Sequence, residues 1–352
     1  MNELKQYKPG DFWQRLLSAV AMAIVVGVTP SAIVSPFISG LASTSPFWAA
    51  ISTATSLCQF SVPLAAGILA ATRFNLTMVE SASVGLAAMI GSGAIAVKNG
   101  TFTLVGMGDL INTIIIIALT IVVMFLIRKR VGSFALIVDS IVGGSLMGAF
   151  GTWSYPYVHM ISTWIGKLLN TFTDLQPVLM CLLLGTAFAV LIVTPISTIA
   201  LGYAIGLSGL AGGTPSVAIT ACFMFVGIAT YKTNGIGLSI AMFFGSVKMM
   251  LANFVKHPRM MIPIAVVGAI GGLTNALLFK ITAVAQFSGF GQPVAAIHAY
   301  ATVGGSALVK LLVVALAYYI LPLVYCLIVW ALFKKFLPNI YNEADWKVDL
   351  SK

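Results

Sequence analysis

Six ionisable side chains stand inside long apolar stretches of the chain: Glu80, Asp109, Asp139, Lys248, His298 and Lys310. An Asp, Lys or Arg at the centre of a membrane helix costs about 2.5–3.5 kcal/mol on insertion scales, so such residues mark solute pathways, proton relays or ion pairs. They are therefore the first candidates for a functional site.

Amides and a hydroxyl at helical spacing extend two of these positions into polar faces. Asn112 follows Asp109 by three residues, which would place both on one helix face. Ser246 and Asn253 are seven residues apart and would share a face near Lys248. Carboxylates accept hydrogen bonds, ammonium groups donate them and amides do both, which suits a sugar-like solute or a small organic acid. The predicted solute-binding residues are Glu80, Asp109, Asn112, Ser246, Lys248, Asn253 and His298.

The same charges also admit interpretations without a solute. Asp109 and Lys248 could form an ion pair that only ties two parts of the fold together. Lys310 could reach from the end of a span to the headgroups. Glu80 could exchange a proton during transport, or it could lie at headgroup level beside Arg73.

Composition places these residues in a lipid bilayer. Of 352 residues, 59% are hydrophobic and 8% are charged, whereas a soluble domain carries about 25% charged residues. Apolar stretches such as residues 111–127 are continuous, which favours helices over the alternating strands of a membrane barrel. We predict one all-α, polytopic membrane domain over residues 1–352, with about eight to ten spans or half-spans.

Charge and motif content exclude several other classes of protein. The net charge is +10, but Lys and Arg gather at the ends of the apolar stretches, as the positive-inside rule leads one to expect. No separate basic domain exists to bind nucleic acid. The four cysteines and three histidines have no metal-ligand spacing, and no phosphate-binding loop occurs. We predict no metal, no cofactor and no catalytic residue, and basic residues near both ends predict cytoplasmic termini.

Prolines and glycines interrupt several of the apolar stretches. Pro30 and Pro36 predict a kinked or broken first span, and Pro195 predicts a second interruption. The glycine-rich residues 133–150 and 287–305 are too short for standard crossings and are typical of re-entrant hairpins. Non-helical backbone at membrane depth needs protein or a water-filled cavity around it, so these interruptions are candidates for a solute cavity.

Residues 83–130 and 213–259 share an order of landmarks. The corresponding residues and their separations are Ser83 and Ser216 (133 residues), Asn99 and Asn234 (135), and Gly108 and Gly245 (137). This small drift predicts two internal repeats, about residues 16–150 and 177–335, with the solute site between them as in many transporters. Chance alignment of glycine-rich membrane sequence is the alternative explanation.

Several glycine-rich motifs together resemble one family of membrane proteins. They are IGSGA at residues 90–94, KNG at 98–100, GDLIN at 108–112, GLAGG at 209–213 and NFVKHPR at 253–259. The chain resembles the stand-alone IIC-like components of the sugar phosphotransferase system, the group that includes the perfringolysin-regulator-like proteins. The resemblance covers nearly the whole chain.

The resemblance implies a homodimer in the bacterial inner membrane that binds or moves a small solute. In such systems separate IIA and IIB proteins pass the phosphate, so they are the implied partners. Glucose-type permeases of this system use a Glu and a His on re-entrant hairpins, but those motifs do not align with this sequence, and no catalytic residue is carried over.

We therefore predict a permease for a small polar solute, a sugar or a related compound, that works by alternating access. Two alternatives stay open from the sequence. One is a membrane sensor or regulator that binds a solute without moving it. The other is a proton-coupled transporter of organic acids that depends on Glu80.

Overall fold

The computed structural model describes residues 7–38, 40–98 and 100–348. These residues are predominantly helical, and one two-stranded hairpin is the only strand pairing within these ranges. The prediction of an all-α polytopic protein is confirmed.

Several helical segments in the described ranges are long and apolar enough to cross a membrane. They are Leu110–Val131, Ala135–Asp174, Gly209–Phe243, Pro258–Phe279 and Ala307–Phe336. The pair Pro46–Phe60 and Val62–Arg73, bent by 49°, has the composition of a broken span or a re-entrant loop. Met78–Gly91 and Pro177–Leu191 are shorter apolar helices. The chain is a multi-pass membrane protein.

The described chain divides into two compact units, with unit 1 running to Ile161 and unit 2 running from Ser162 to Val348. The elements of unit 1 are α1 (Pro9–Ile38), α2 (Pro46–Phe60), α3 (Val62–Arg73), α4 (Met78–Gly91), β1 (Ile95–Lys98), β2 (Thr101–Leu104), α5 (Leu110–Val131), α6 (Ala135–Val138), a π-helical stretch (Asp139–Leu146) and α7 (Met147–Asn170), whose last residues belong to unit 2.

Side-chain caps fix where the helices of unit 1 begin. The Ser45 hydroxyl accepts a hydrogen bond from the Trp48 amide at the start of α2. The Asp109 carboxylate accepts from the amides of Ile111 and Asn112 at the start of α5. Such caps satisfy amide groups that have no partner in the first turn of a helix. Asp109 is therefore the N-cap of α5, whereas we had predicted that it lies on a face within the span.

Of two predicted interruptions in unit 1, the re-entrant hairpin is wrong and the first span is not broken, while a kink in that span stays a prediction. Helix α1 runs through Pro30 and Pro36 without a break. Residues 133–150, predicted as a re-entrant hairpin, are helical from residue 135 onward and belong to the span Ala135–Asp174. Glycine serves packing here, because a Cβ atom on Gly151 would lie 2.6 Å from the Cα atom of Gly91 in α4. Small residues let membrane helices approach this closely.

Unit 2 is built around one long, buried helix. Its elements are α8 (Pro177–Leu191), α9 (Thr198–Ile205), α10 (Gly209–Phe243), a 3-10 turn (Ser246–Met250), α11 (Leu251–Lys256), α12 (Met261–Thr274), a π-helical stretch (Asn275–Phe279), α13 (Ala285–Ser288), α14 (Val294–Thr302), α15 (Ala307–Ala315), a second π-helical stretch (Leu316–Ile320) and α16 (Leu321–Phe336). Helices α8, α12 and α16 pack against α10. Gly235, with φ 80° and ψ 176°, is non-helical and kinks α10.

Candidate functional site

Unit 2 leaves the helical conformation in the middle of apolar sequence. Helix α8 ends at Leu191, α9 begins at Thr198, and residues 192–197, which we call the unwound segment, are non-helical around Pro195. Proline lacks a backbone donor and cannot continue the hydrogen-bond pattern of α8. The predicted interruption at Pro195 is thus present, and its backbone carbonyls need partners from elsewhere in the fold.

Lys248 provides two of these partners. Its Nζ atom donates to the carbonyl oxygens of Thr194 and Ile196, at 2.8 Å each. The residue is 8% exposed and lies in the 3-10 turn Ser246–Met250, which Gly245 begins in the left-handed conformation at φ 107°. An ammonium group carries three donors and no acceptor. Lys248 therefore places a buried positive charge at the break between two apolar helices.

A second non-helical stretch of unit 2 comprises residues 280–284, which we call the extended segment. The fully buried Asn275 side chain accepts a hydrogen bond from the Ile281 amide at 2.9 Å and donates to the Ile281 carbonyl at 3.1 Å. It also donates to the Thr214 hydroxyl at 3.0 Å. The Asn275 side chain thus pairs both backbone groups of Ile281, as a neighbouring strand would. Backbone groups in hydrocarbon need such internal partners.

Gln292 brings an unused acceptor to the same unit. Its backbone amide donates to the Thr220 hydroxyl at 3.1 Å, and its Nε2 atom donates to the Phe243 carbonyl at 2.7 Å. Its Oε1 atom is buried and has no hydrogen-bond partner. Buried polar atoms are normally paired, so an unpaired one needs an explanation such as a functional role.

Direct contacts connect these pieces of unit 2. The Thr198 hydroxyl at the start of α9 donates to the Gly289 carbonyl at 2.9 Å. The His298 ring on α14 stacks on Phe287, with 3.9 Å between ring centroids. We call the unwound segment, the 3-10 turn, the extended segment and residues 285–298 together the interrupted region. Three predicted site residues, Ser246, Lys248 and His298, lie in it.

Asn253, the fourth predicted residue in unit 2, binds a different part of the chain. Its Nδ2 atom donates to the carbonyl oxygens of Asp345 and Lys347, at 2.7 and 2.8 Å. The predicted shared face with Ser246 assumed one regular helix, whereas the chain changes from a 3-10 turn to α11 at Leu251. Asn253 therefore binds the C-terminal residues.

In unit 1, the buried carboxylate of Glu80 pairs with Arg128, whose side chain is 26% exposed. Glu80 is 2% exposed, and its Oε2 and Oε1 atoms lie 2.6 and 2.7 Å from the Nη2 and Nε atoms of Arg128. It also closes a capping box with Thr77 at the start of α4. The ionic partner of Glu80 is thus Arg128, whereas we had considered a position beside Arg73.

Asn112 joins three helices of unit 1. Its Nδ2 atom donates to the carbonyls of Gly91 and Gly151 at 2.6 and 2.9 Å, and its Oδ1 atom accepts from the Ser154 hydroxyl at 3.0 Å. The neighbouring Asp109 lies 3.3 Å from the Nδ1 atom of His159. Asp109 is in unit 1 and Lys248 is in unit 2, and their pairing stays a prediction.

The sequence prediction omitted Asn275 and Gln292, the two amides that hold the interrupted region. Both had a visible signal, because each is an uncharged polar residue inside an apolar or glycine-rich stretch. The prediction kept only amides at helical spacing near a charged residue, Asn112 and Asn253, and so omitted both. Within the described ranges, no group of three His, Cys, Asp or Glu side chains could hold a metal ion.

Comparison with known proteins identifies the family to which the chain belongs. No curated protein and no solved structure matches the chain significantly. The family described as "Phosphotransferase system, EIIC" matches residues 14–348, which is nearly the entire chain of 352 residues. This is the membrane-embedded component of a phosphotransferase permease, and the chain belongs to the phosphotransferase system EIIC family.

Proposed function

We propose that the protein carries a small polar solute, a sugar or a related compound, across the bacterial inner membrane by alternating access. The observation that carries the proposal is the unwound segment with Lys248 bound to its carbonyl oxygens. Transporters bind their solutes at discontinuous helices, because the freed backbone groups and nearby polar side chains can exchange partners with a solute.

The interrupted region supplies complementary groups for such a solute. The ammonium of Lys248 donates hydrogen bonds to solute oxygens, and the buried Oε1 atom of Gln292 accepts from a hydroxyl. Small-molecule sites combine a few such polar groups with apolar and aromatic walls, and Phe287 beneath His298 provides an aromatic surface. Ser246 adds a hydroxyl in the same turn as Lys248.

The other predicted site residues receive a structural role in this proposal. Glu80 is paired with Arg128, Asn112 joins three helices, and Asn253 binds the C-terminal residues. Asp109 caps α5. These contacts stabilise helices or hold the C-terminal residues, whereas those of Lys248 lie at interrupted backbone, where a solute can take over the freed groups.

The proposal also includes the partners that accompany a EIIC permease. Soluble IIA and IIB proteins pass phosphate towards the membrane component, both termini face the cytoplasm, and two copies of the chain form a homodimer. Cytoplasmic termini agree with the clustering of basic residues at span ends under the positive-inside rule.

A ligand screen followed by uptake measurements tests the proposal. The detergent-purified protein is screened by thermal shift against sugars, polyols and carboxylates, because a ligand of the folded state raises the melting temperature. Lys248→Met is expected to weaken binding of the ligand found by at least about tenfold, since a hydrogen bond to a charged group contributes about 1.5–3 kcal/mol. Lys310→Met, which changes another lysine of an apolar helix, is the matched control and is expected to bind normally.

Uptake in proteoliposomes separates transport from the alternatives. The proposal predicts flux of the ligand in the wild-type protein and loss of flux in Lys248→Met. Saturable binding without flux would instead identify a sensor. Flux that follows a pH gradient and fails in Glu80→Gln would identify a proton-coupled transporter, and either outcome would overturn the proposal.

A further inference from the structure

The described C-terminal residues fold back onto unit 2. Trp346 is fully buried, and its ring contacts the rings of Phe225, Phe254 and Tyr341 at centroid distances of 5.7, 6.2 and 5.8 Å. We call residues 339–348 the tail. The tail follows the end of α16 at Phe336 and contains only the short 3-10 helix Glu343–Trp346.

Two amide side chains bind the backbone of the tail. Asn253 donates to the carbonyls of Asp345 and Lys347. Asn234 donates to the Trp346 carbonyl at 2.7 Å and accepts from the Val348 amide at 2.7 Å. Contacts to peptide backbone give affinity for a segment whatever its sequence, and pockets for individual side chains give specificity.

Charge complementarity adds that specificity. The Asp345 carboxylate lies 2.9 Å from the Nη2 atom of Arg259 and 3.6 Å from the Nε2 atom of His257. Arg259 also donates to the Asn339 carbonyl at 2.9 Å. A cationic corner before α12 thus faces an acidic residue that directly precedes the buried tryptophan.

The tail also contacts the kink of α10. Asn234 immediately precedes Gly235, the non-helical residue of this helix. Besides binding the tail, the Asn234 amide donates to the Thr230 carbonyl at 3.1 Å. The same side chain therefore connects the tail to the helical turn before the kink. We call the kink at Gly235 the hinge. Release of the tail removes two of the hydrogen bonds that Asn234 makes beside it.

We propose that Asn234, Asn253, Arg259 and the aromatic pocket around Trp346 form a peptide-recognition site. Its ligand class is a short peptide with an acidic residue followed by an aromatic one, and the tail is its intramolecular ligand. When the tail occupies this site, it stabilises the conformation of α10 around the hinge at Gly235. The buried Nε1 atom of Trp346 has no hydrogen-bond partner, which weakens the fit and favours an exchangeable tail. The site is separate from the interrupted region, and the proposal does not rest on solute transport.

Hydrogen exchange measured by mass spectrometry on the full-length, detergent-purified protein tests this proposal. Trp346→Ala is expected to raise exchange at least about tenfold in residues 342–348 and also in residues 230–240 around the hinge. Glu343→Gln is the matched control, because Glu343 is an exposed tail residue that pairs with Lys334 of α16. It is expected to leave exchange around the hinge unchanged.

A synthetic peptide of residues 339–352 then distinguishes a recognition site from ordinary packing. Added to Trp346→Ala, the peptide is expected to restore protection of residues 230–240 in a saturable manner, and a peptide with Asp345 and Trp346 changed to alanine is not. Asp345→Asn carries the same test if Trp346→Ala does not fold. Unchanged hinge exchange in the folded tail variant, or no rescue by the peptide, would overturn the proposal.

Discussion

Two fully buried asparagines, one in each unit, have different roles. Asn112 in unit 1 donates to carbonyls of Gly91 and Gly151 at a close contact between helices. Asn275 in unit 2 bonds both backbone groups of Ile281 in the extended segment. The two residues have the same chemistry and the same burial. Their partners differ, and the partners show that unit 1 uses amides to join regular helices whereas unit 2 uses them to support interrupted backbone.

The buried charges differ in the same way. In unit 1, Glu80 is neutralised by Arg128. In unit 2, Lys248 donates to two carbonyl oxygens, which carry no net charge. The Lys248 ammonium is a hydrogen-bond donor at interrupted backbone, and ammonium donors suit oxygen-rich ligands. This difference is the reason that we propose solute binding in the interrupted region.

The largest expected effect tests the role of the ion pair in unit 1. Arg128→Met leaves the buried Glu80 carboxylate without its cation and is expected to lower the free energy of unfolding by about 3–5 kcal/mol. Arg130→Met changes an exposed arginine of the same helix and is expected to cost no more than about 0.5 kcal/mol. Denaturation in detergent measures both. Equal losses would show that the pair does not stabilise unit 1.

The two asparagines provide the next comparison. Asn112→Leu and Asn275→Leu each leave buried backbone groups unpaired, at about 1–3 kcal/mol per group, so both are expected to lower the free energy of unfolding. Solute affinity of the folded protein separates them. We expect weaker binding only for Asn275→Leu, because it releases the extended segment. Weaker binding for Asn112→Leu alone would reverse the comparison.

A smaller effect is expected at the helix contact that Asn112 spans. Gly151→Ala would place a Cβ atom 2.6 Å from the Cα atom of Gly91, and overpacking of this kind costs about 1–3 kcal/mol. Gly10→Ala is the matched control, because a Cβ atom there meets nothing within 4 Å. Thermal unfolding measures both variants. A loss at Gly10 as large as that at Gly151 would show that helix contact is not the cause.

The smallest expected effect concerns an exposed pair outside the spans. The hydrogen bond from Lys334 lowers the pKa of the Glu343 carboxyl below its ordinary value. A lowered pKa in the folded state stabilises the protein above the unfolded pKa, and this stability is lost as the pH falls through the folded pKa. Glu343→Gln is therefore expected to cost less than about 1 kcal/mol at pH 7 and nothing under strongly acidic conditions. A pH-independent cost in denaturation curves would contradict this assignment.

Composition was sufficient to predict the fold class, because 8% charge cannot cover a soluble surface. The cost of burying charge was sufficient to single out Lys248 and Glu80. Their partners were not predictable, since Thr194 and Ile196 lie 54 and 52 residues from Lys248 and Arg128 lies 48 residues from Glu80. Contacts over such distances depend on tertiary packing, which the local sequence pattern does not contain.

The two Val-Thr-Pro motifs also show that the local sequence does not determine where a helix is broken. They stand at residues 28–30 and 193–195, yet α1 continues through Pro30 whereas the helix is broken around Pro195. Lys248 satisfies carbonyls beside Pro195, and this partner is far away in sequence. The internal repeat predicted from the spacing of the serine, asparagine and glycine landmarks stays a prediction.

The most direct test of the comparison is the dissociation constant of the screened solute for two full-length variants, Lys248→Met and Asp109→Asn, against wild type. If solute binding belongs to the interrupted region, Lys248→Met raises the dissociation constant at least about tenfold, and Asp109→Asn stays within about twofold of the wild type. A large increase for Asp109→Asn with none for Lys248→Met would contradict the account.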